Sequence, residues 1–231
     1  MKLAIMQPYF LPYIGYWQLL NAVDRFVVYD NIQFTKKGWI NRNRFLLNGK
    51  DELFTIPVKK DSDYRHVVER VVAADFDREK LLNRLAAAYR RAPHFATVFP
   101  LVSELVRADS ANLFEFIYHS IKRVAAYLGI GTPLVISSTV PIDHSLRAEE
   151  KVLALCRALG ADTYLNPIGG RELYSKEQFQ AAGITLHFLQ TRPVTYSQFN
   201  GEFVPNLSIL DVMMFNSPAE IRAMLGEFDL V

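Results

Sequence analysis

Between positions 30 and 44 the chain reads Asp30-Asn31-Ile32-Gln33-Phe34-Thr35-Lys36-Lys37-Gly38-Trp39-Ile40-Asn41-Arg42-Asn43-Arg44. A carboxylate is followed by amides, cations and one large aromatic ring, a mixture suited to a polyhydroxylated, phosphorylated ligand. Asp30 can accept sugar hydroxyls or act as the base of a transfer reaction. Lys37 and Arg42 can neutralise a diphosphate, and Trp39 can stack on a ring. Gln33, Asn41 and Asn43 supply amides that orient hydroxyls. For any single lysine here a solvated basic loop is the competing reading.

A second segment, Gln7-Pro8-Tyr9-Phe10-Leu11-Pro12-Tyr13-Ile14-Gly15-Tyr16, directly follows an apolar run. Pro8 and Pro12 stiffen it, and Gly15 permits close approach of backbone to ligand. Amides at the start of the following helix suit a phosphate. Gln7, Tyr13, Gly15 and Tyr16 are therefore binding candidates; an aromatic structural turn is the alternative. The layout resembles the strand–loop–helix of nucleotidylyltransferases, with Pro12 and Gly15 at matching places. Tyr13 and Tyr16 stand where those enzymes carry histidines, and tyrosine offers no cation to a pentavalent phosphorus. Kinship of fold is expected from this likeness, and adenylyl transfer by that mechanism is not.

The third segment is Asn166-Pro167-Ile168-Gly169-Gly170, with Tyr174 four residues on. A Gly-Gly pair between strand and helix can present amides to an anion, although such a pair is often only a turn. Near the end of the chain, Ser208 and Asp211 have the spacing of a helix cap with its third residue; otherwise Asp211 faces the cleft. His144 follows Asp143, which could orient it as a base, but adjacent residues seldom form such a pair. The five histidines have no metal-ligand spacing, and the single cysteine, Cys156, lies in an apolar helical stretch. No structural metal is expected.

Lys and Arg number 26 against 24 Asp and Glu, a balance that argues against bulk nucleic-acid binding. No apolar run reaches the roughly 20 residues of a membrane span, and the apolar N-terminus breaks at Gln7-Pro8, too early for a signal peptide. A cytoplasmic protein with a small-molecule nucleotide or sugar substrate is expected. No cofactor is indicated.

The elements that must position these segments follow from periodicity. Residues 2–6 form a strand, 15–22 a helix and 26–29 a second strand, which is one right-handed βαβ unit. Residues 31–52 read as a polar irregular stretch and 54–58 as a strand near an edge, because of Pro57. Helical spacing fills 77–128, a helical insertion that leaves a lid, a homodimer surface or plain packing open. Strands at 134–137, 163–165 and 184–189 alternate with helices at 148–159 and 175–182, and a helix covers 218–225. The alternation predicts one α/β domain over residues 1–231. Its sheet should be a largely parallel, Rossmann-like (nucleotidylyltransferase-like) one, with helices on both faces. In such a sheet ligands bind beyond the carboxyl ends of the strands, where all three segments fall.

Read together, residues 6–18, 29–34, 38–44, 159–174 and 205–216 closely resemble the WbqC-like family, over nearly the whole chain. The resemblance implies a place in bacterial O-antigen and related surface-polysaccharide synthesis, with a glycine-transferase role. It brings no catalytic residues with it, so the site candidates rest on their chemistry. The first reading is a transferase that modifies an activated sugar, adding an aminoacyl group such as glycine. The second is an ATP-dependent adenylating or nucleotidyl-transferring enzyme, and the third a non-catalytic nucleotide- or sugar-binding partner of a biosynthetic complex.

Overall fold

The computed structural model describes residues 1–231. The chain begins with strand β1 (Lys2–Met6), helix α1 (Ile14–Asn21) and strand β2 (Arg25–Val28), and β1 and β2 pair in parallel. A hairpin of β3 (Arg42–Leu47) and β4 (Lys50–Thr55) follows. Three helices come next: α2 (Arg78–Tyr89), α3 (Phe95–Arg107) and α4 (Leu113–Leu128). The chain then returns to the sheet through β5 (Leu134–Ile136), α5 (Ala148–Leu159), β6 (Thr163–Pro167), α6 (Lys176–Ala181) and β7 (Thr185–Thr191). It closes with α7 (Ile209–Phe215), α8 (Pro218–Met224) and β8 (Phe228–Leu230).

The main sheet has the order β5-β2-β1-β6-β7-β8. Its first five strands are parallel and β8 alone is antiparallel. Alternation along the central strands sends successive side chains to opposite faces. Leu3, Ile5 and Val27 pack with α5 and α6, while Ala4, Phe26 and Val28 pack with α1, the α2–α4 block and α7. Both faces are thus covered by helices, as a parallel sheet requires.

The 77–128 block shares the larger of the two apolar clusters with the sheet. Helices α2 and α4 are capped as their residues suggest: Asp77 and Asn112 accept from the amides of Lys80 and Glu115, and Gly129 ends α4 at φ 72°.

The expectation of an irregular stretch over 31–52 is corrected by the hairpin. Asn48 and Gly49 both have positive φ (52° and 75°), the geometry of a two-residue hairpin turn. The strand expected at 54–58 lies earlier, at Lys50–Thr55, as the second arm of that hairpin, which pairs only with the first.

Candidate functional site

Strand β1 lies inside the sheet with β2 on one side and β6 on the other. The connections leave it in opposite directions, which opens a crevice beyond the carboxyl ends. A cleft of about 750 Å³ lies there. Gln7 and Tyr9 enter it after β1, Tyr29 and Asn31 after β2, and Asn166, Gly169, Gly170 and Tyr174 at and after β6. His144, Arg147, Ala148 and Lys151 come from the start of α5 and the loop before it, and Gln33 and His66 stand at one side.

Asp30 belongs to the framework of this cleft and does not line it. It is fully buried. Its Oδ1 accepts from Ser137 Oγ at 2.8 Å and from the Ser138 amide at 2.9 Å, and its Oδ2 accepts from Ser138 Oγ at 2.6 Å. A carboxylate so engaged clamps the turn after β5, and this geometry differs from that expected of a base. Asn31 takes over the contact with the cleft. Its Oδ1 faces the Ser137 hydroxyl at 2.5 Å and its Nδ2 lies 3.0 Å from His144 Nδ1. His144 Nε2 lies 3.0 Å from the Val140 carbonyl, which can only accept. Nε2 therefore carries the proton and Nδ1 accepts from Asn31. Asp143 bonds Ser145 instead, so Asn31 and Val140 orient His144, and Asp143 does not.

Lys151 is nine-tenths buried, yet its side chain reaches the cleft. Its Nζ stands over the Tyr29 ring at 5.2 Å and donates to the His144 carbonyl at 3.3 Å. Burial pushes its ammonium below the ordinary lysine range, and Asp30 pulls weakly the other way. Tyr29 is raised to about 12 by burial and by the neighbouring Tyr174 and Asp30. Beside Lys151, α5 starts without a side-chain cap, with Ala148 at φ 45°. Its first amides and the Arg147 guanidinium are thus open to an anion.

On the opposite wall Asn166 is held by two bonds. Its Oδ1 accepts from Tyr164 Oη at 3.2 Å and its Nδ2 donates to the Pro167 carbonyl at 3.0 Å. A Cβ on Gly170 would collide with that Nδ2, so the glycine makes room for the amide. The Tyr174 ring stands edge-on to Tyr164 at 5.8 Å. Glu149 accepts from the Ser175 amide at 2.6 Å, tying this wall to the start of α5.

Seven of the residues singled out from the sequence meet in this cleft: Gln7, Gln33, His144, Asn166, Gly169, Gly170 and Tyr174. Tyr13, Trp39 and Asn43 line a smaller basin of about 320 Å³, which shares Tyr9 with the main cleft. Trp39 is half-exposed there, with the Arg42 and Arg44 guanidinia 5.5 and 5.1 Å from its ring.

The others are framework, and Asn43 and Tyr13 also make framework contacts. Arg42 donates to the carbonyls of Gly38, at 2.8 Å, and of Lys37, closing the turn that carries the exposed Lys37. Asn41 donates to the Ile56 carbonyl and Asn43 to that of Leu11, both at 2.8 Å. Tyr16 is buried against Tyr9, Trp17 and Phe26. Tyr13 folds its ring over Gly15, where a Cβ would strike it.

Asp211 is fully buried away from the cleft. It accepts from Tyr89 Oη at 2.8 Å, Tyr196 Oη at 2.7 Å and Gln198 Nε2 at 2.6 Å. Ser208 does cap α7, by accepting from the Leu210 amide. The Ser208 amide bonds the Arg44 carbonyl, so Asp211 does not complete a capping box.

Sequence reasoning passed over Arg147 and Lys151. The signal for the lysine was present: Lys151, Val152, Leu155 and Cys156 form one buried stripe of α5. A charge on an apolar stripe is unusual unless it serves a site.

The model of the WbqC-like protein family matches residues 7–223. The uncharacterized protein Rv1507c of Mycobacterium tuberculosis is 28% identical over 222 residues, covering 95% of each chain. No solved structure matches the chain. A match that begins at the cleft residue Gln7 and runs through both cleft walls and the hairpin leaves one assignment: the chain belongs to the WbqC-like protein family.

Proposed function

We propose that the protein is a transferase that modifies an activated sugar in bacterial surface-polysaccharide synthesis, adding an aminoacyl group such as glycine. One observation carries the reading: amide side chains, tyrosine rings and an uncapped helix start beside Arg147 and Lys151 converge on one cleft at the switch point of a parallel sheet. Gln7, Asn31, Gln33 and Asn166 match sugar or base edges. Tyr9, Tyr29 and Tyr174 offer ring faces. The first amides of α5 and Arg147 fit phosphate, with the Gly169-Gly170 turn opposite. The volume is within the range of small-molecule sites.

A non-catalytic binding role is the second reading, favoured by the full engagement of Asp30 and His144. The adenylating alternative loses support because Tyr16 is sealed in the core.

The test is a thermal-shift series with UDP-glucose, UDP-N-acetylglucosamine, ATP and glycine, followed by assay of labelled glycyl transfer from an activated glycyl thioester. Ligand at about 100 times its Kd stabilises by about 2.7 kcal/mol, which raises Tm by roughly 5–10 °C for a chain of this size. Gly170→Ala, which crowds Asn166, should lose most of that shift. A shift with ATP alone would replace this reading with the adenylating one. No shift with either nucleotide sugar would overturn it. A shift without glycine transfer would leave the binding role.

A further inference from the structure

We propose that Lys151 is the residue that takes and returns the proton during transfer in the cleft. The inference rests on the transferase reading and adds to it the group that moves the proton. It starts from a process of elimination among the titratable groups at the cleft. Both oxygens of Asp30 are occupied by Ser137 and Ser138. Both ring nitrogens of His144 are occupied by Asn31 and Val140. His66 stands at the side of the cleft with its imidazole half-exposed and turned to the Glu69 carboxylate, its Nδ1 3.7 Å from Oε2. Tyr29 holds its proton up to about 12. Lys151 has donors to spare, since its ammonium makes a single 3.3 Å bond, and unlike the Arg147 guanidinium beside it, it can give up its proton.

The surroundings of Nζ suit an amine that alternates between neutral and charged. The Tyr29 ring and the His144 carbonyl face it from β2 and the loop before α5, with Asp30 behind them. Arg147 precedes it on its own helix, and Tyr174 lies on the opposite wall. Burial among these groups disfavours the ammonium at rest. Once it forms, the Tyr29 ring face and the charge of Asp30 stabilise it.

The step then balances. With an activated glycyl thioester as donor, the O–H or N–H bond of the acceptor breaks, its electron pair forms the bond to the glycyl carbonyl carbon, and the proton passes to Nζ; the group that later leaves is the thiolate. As the tetrahedral intermediate collapses, the bond to the leaving group breaks, and the leaving group takes the proton back from Nζ.

The experiment is trace acetylation of the whole protein by acetic anhydride across a pH series, with each lysine followed by peptide mass spectrometry. It is paired with glycine-transfer assays of Lys151→Met and Lys151→Arg. The expected result is a Lys151 reactivity midpoint below that of the surface lysines. UDP-N-acetylglucosamine should suppress that reactivity. Lys151→Met should keep the Tm and the nucleotide-sugar shift while losing about 100-fold or more in turnover. Lys151→Arg, which keeps the charge but cannot give up its proton, should be as inactive. A Lys151 that titrates with the surface lysines, or a Lys151→Met protein that still turns over, overturns the proposal and leaves the transferase reading intact. A protein that shifts with no nucleotide sugar fails the transferase reading first, whatever the amine titration shows.

Discussion

At the scale of single residues, the chemistry of a side chain is set by which of its polar atoms are already spoken for. Asp30 stands at the end of the second strand, where a catalytic carboxylate is expected, yet Ser137 and Ser138 claim both its oxygens from 107 and 108 positions away. Its first contribution is to stability. Asp30→Asn replaces one oxygen with a donor that faces donors, and it should cost about 1–3 kcal/mol in urea denaturation. A variant of unchanged stability that had lost glycine transfer would return Asp30 to the role of base. Tyr16 gives the opposite lesson. It occupies a place where nucleotidylyltransferases carry a histidine, and its ring has joined the core.

Elements add a second kind of constraint, because a helix or hairpin presents several residues at once. The β3–β4 hairpin carries Asn43 and Arg44 to the smaller basin and the Arg44 carbonyl to the start of α7. Helix α7 in turn buries Asp211 between Tyr89 of α2 and the 196–198 segment. Burial raises the Asp211 carboxyl above its ordinary 3.8, and the three hydrogen bonds only partly offset this.

The sign follows by linkage. A carboxyl whose pKa is higher in the folded than in the unfolded chain binds its proton more tightly when folded. Its contribution is therefore fully present below the ordinary value and is lost as pH rises through the folded one. The difference in Tm between wild type and Asp211→Asn should thus be most favourable to wild type near pH 3 and shrink toward neutrality. A difference that grows with pH would show that the three hydrogen bonds outweigh burial.

For the whole molecule, the order of strands decides where a ligand can sit. Because the chain leaves β1 toward β2 on one side and reaches β6 on the other, only the carboxyl ends of these strands open into a crevice. Hydrogen exchange should report this directly. A nucleotide sugar at about 100 times its Kd should slow exchange by up to about 100-fold where opening requires release of the ligand. The slowed amides should cluster in residues 29–33, 147–151 and 166–174, and the β3–β4 hairpin should exchange as before. Protection centred on the hairpin would move the site to the smaller basin.

Much of the architecture was legible in the sequence because it is a local property. Apolar runs bounded by Pro8, Asp30 and Gly160 mark strands and a helix by period and punctuation. The α2–α4 block carries its own caps. The hairpin was legible in principle, since Asn48-Gly49 is a strong turn signal. It was obscured because β3 carries arginines at positions 42 and 44, on a face that is not fully buried.

The site divided along the same line. Gln7 directly follows β1, Asn166 lies at the carboxyl end of β6, and Gly169, Gly170 and Tyr174 lie in the segment after it, so the rule of the carboxyl end reached them. The roles of Asp30, Asn41, Arg42 and Asp211 were decided only by the folded chain. Each is consumed by partners that sequence order does not reveal. Lys151 reached the cleft for a complementary reason: the helix that buries its stem also opens its amine toward Tyr29. The sequence by itself determined which groups could do chemistry and the order of the elements that carry them. The tertiary structure decided which of those groups remain free to act, because hydrogen-bond partners are assigned across the whole molecule at once.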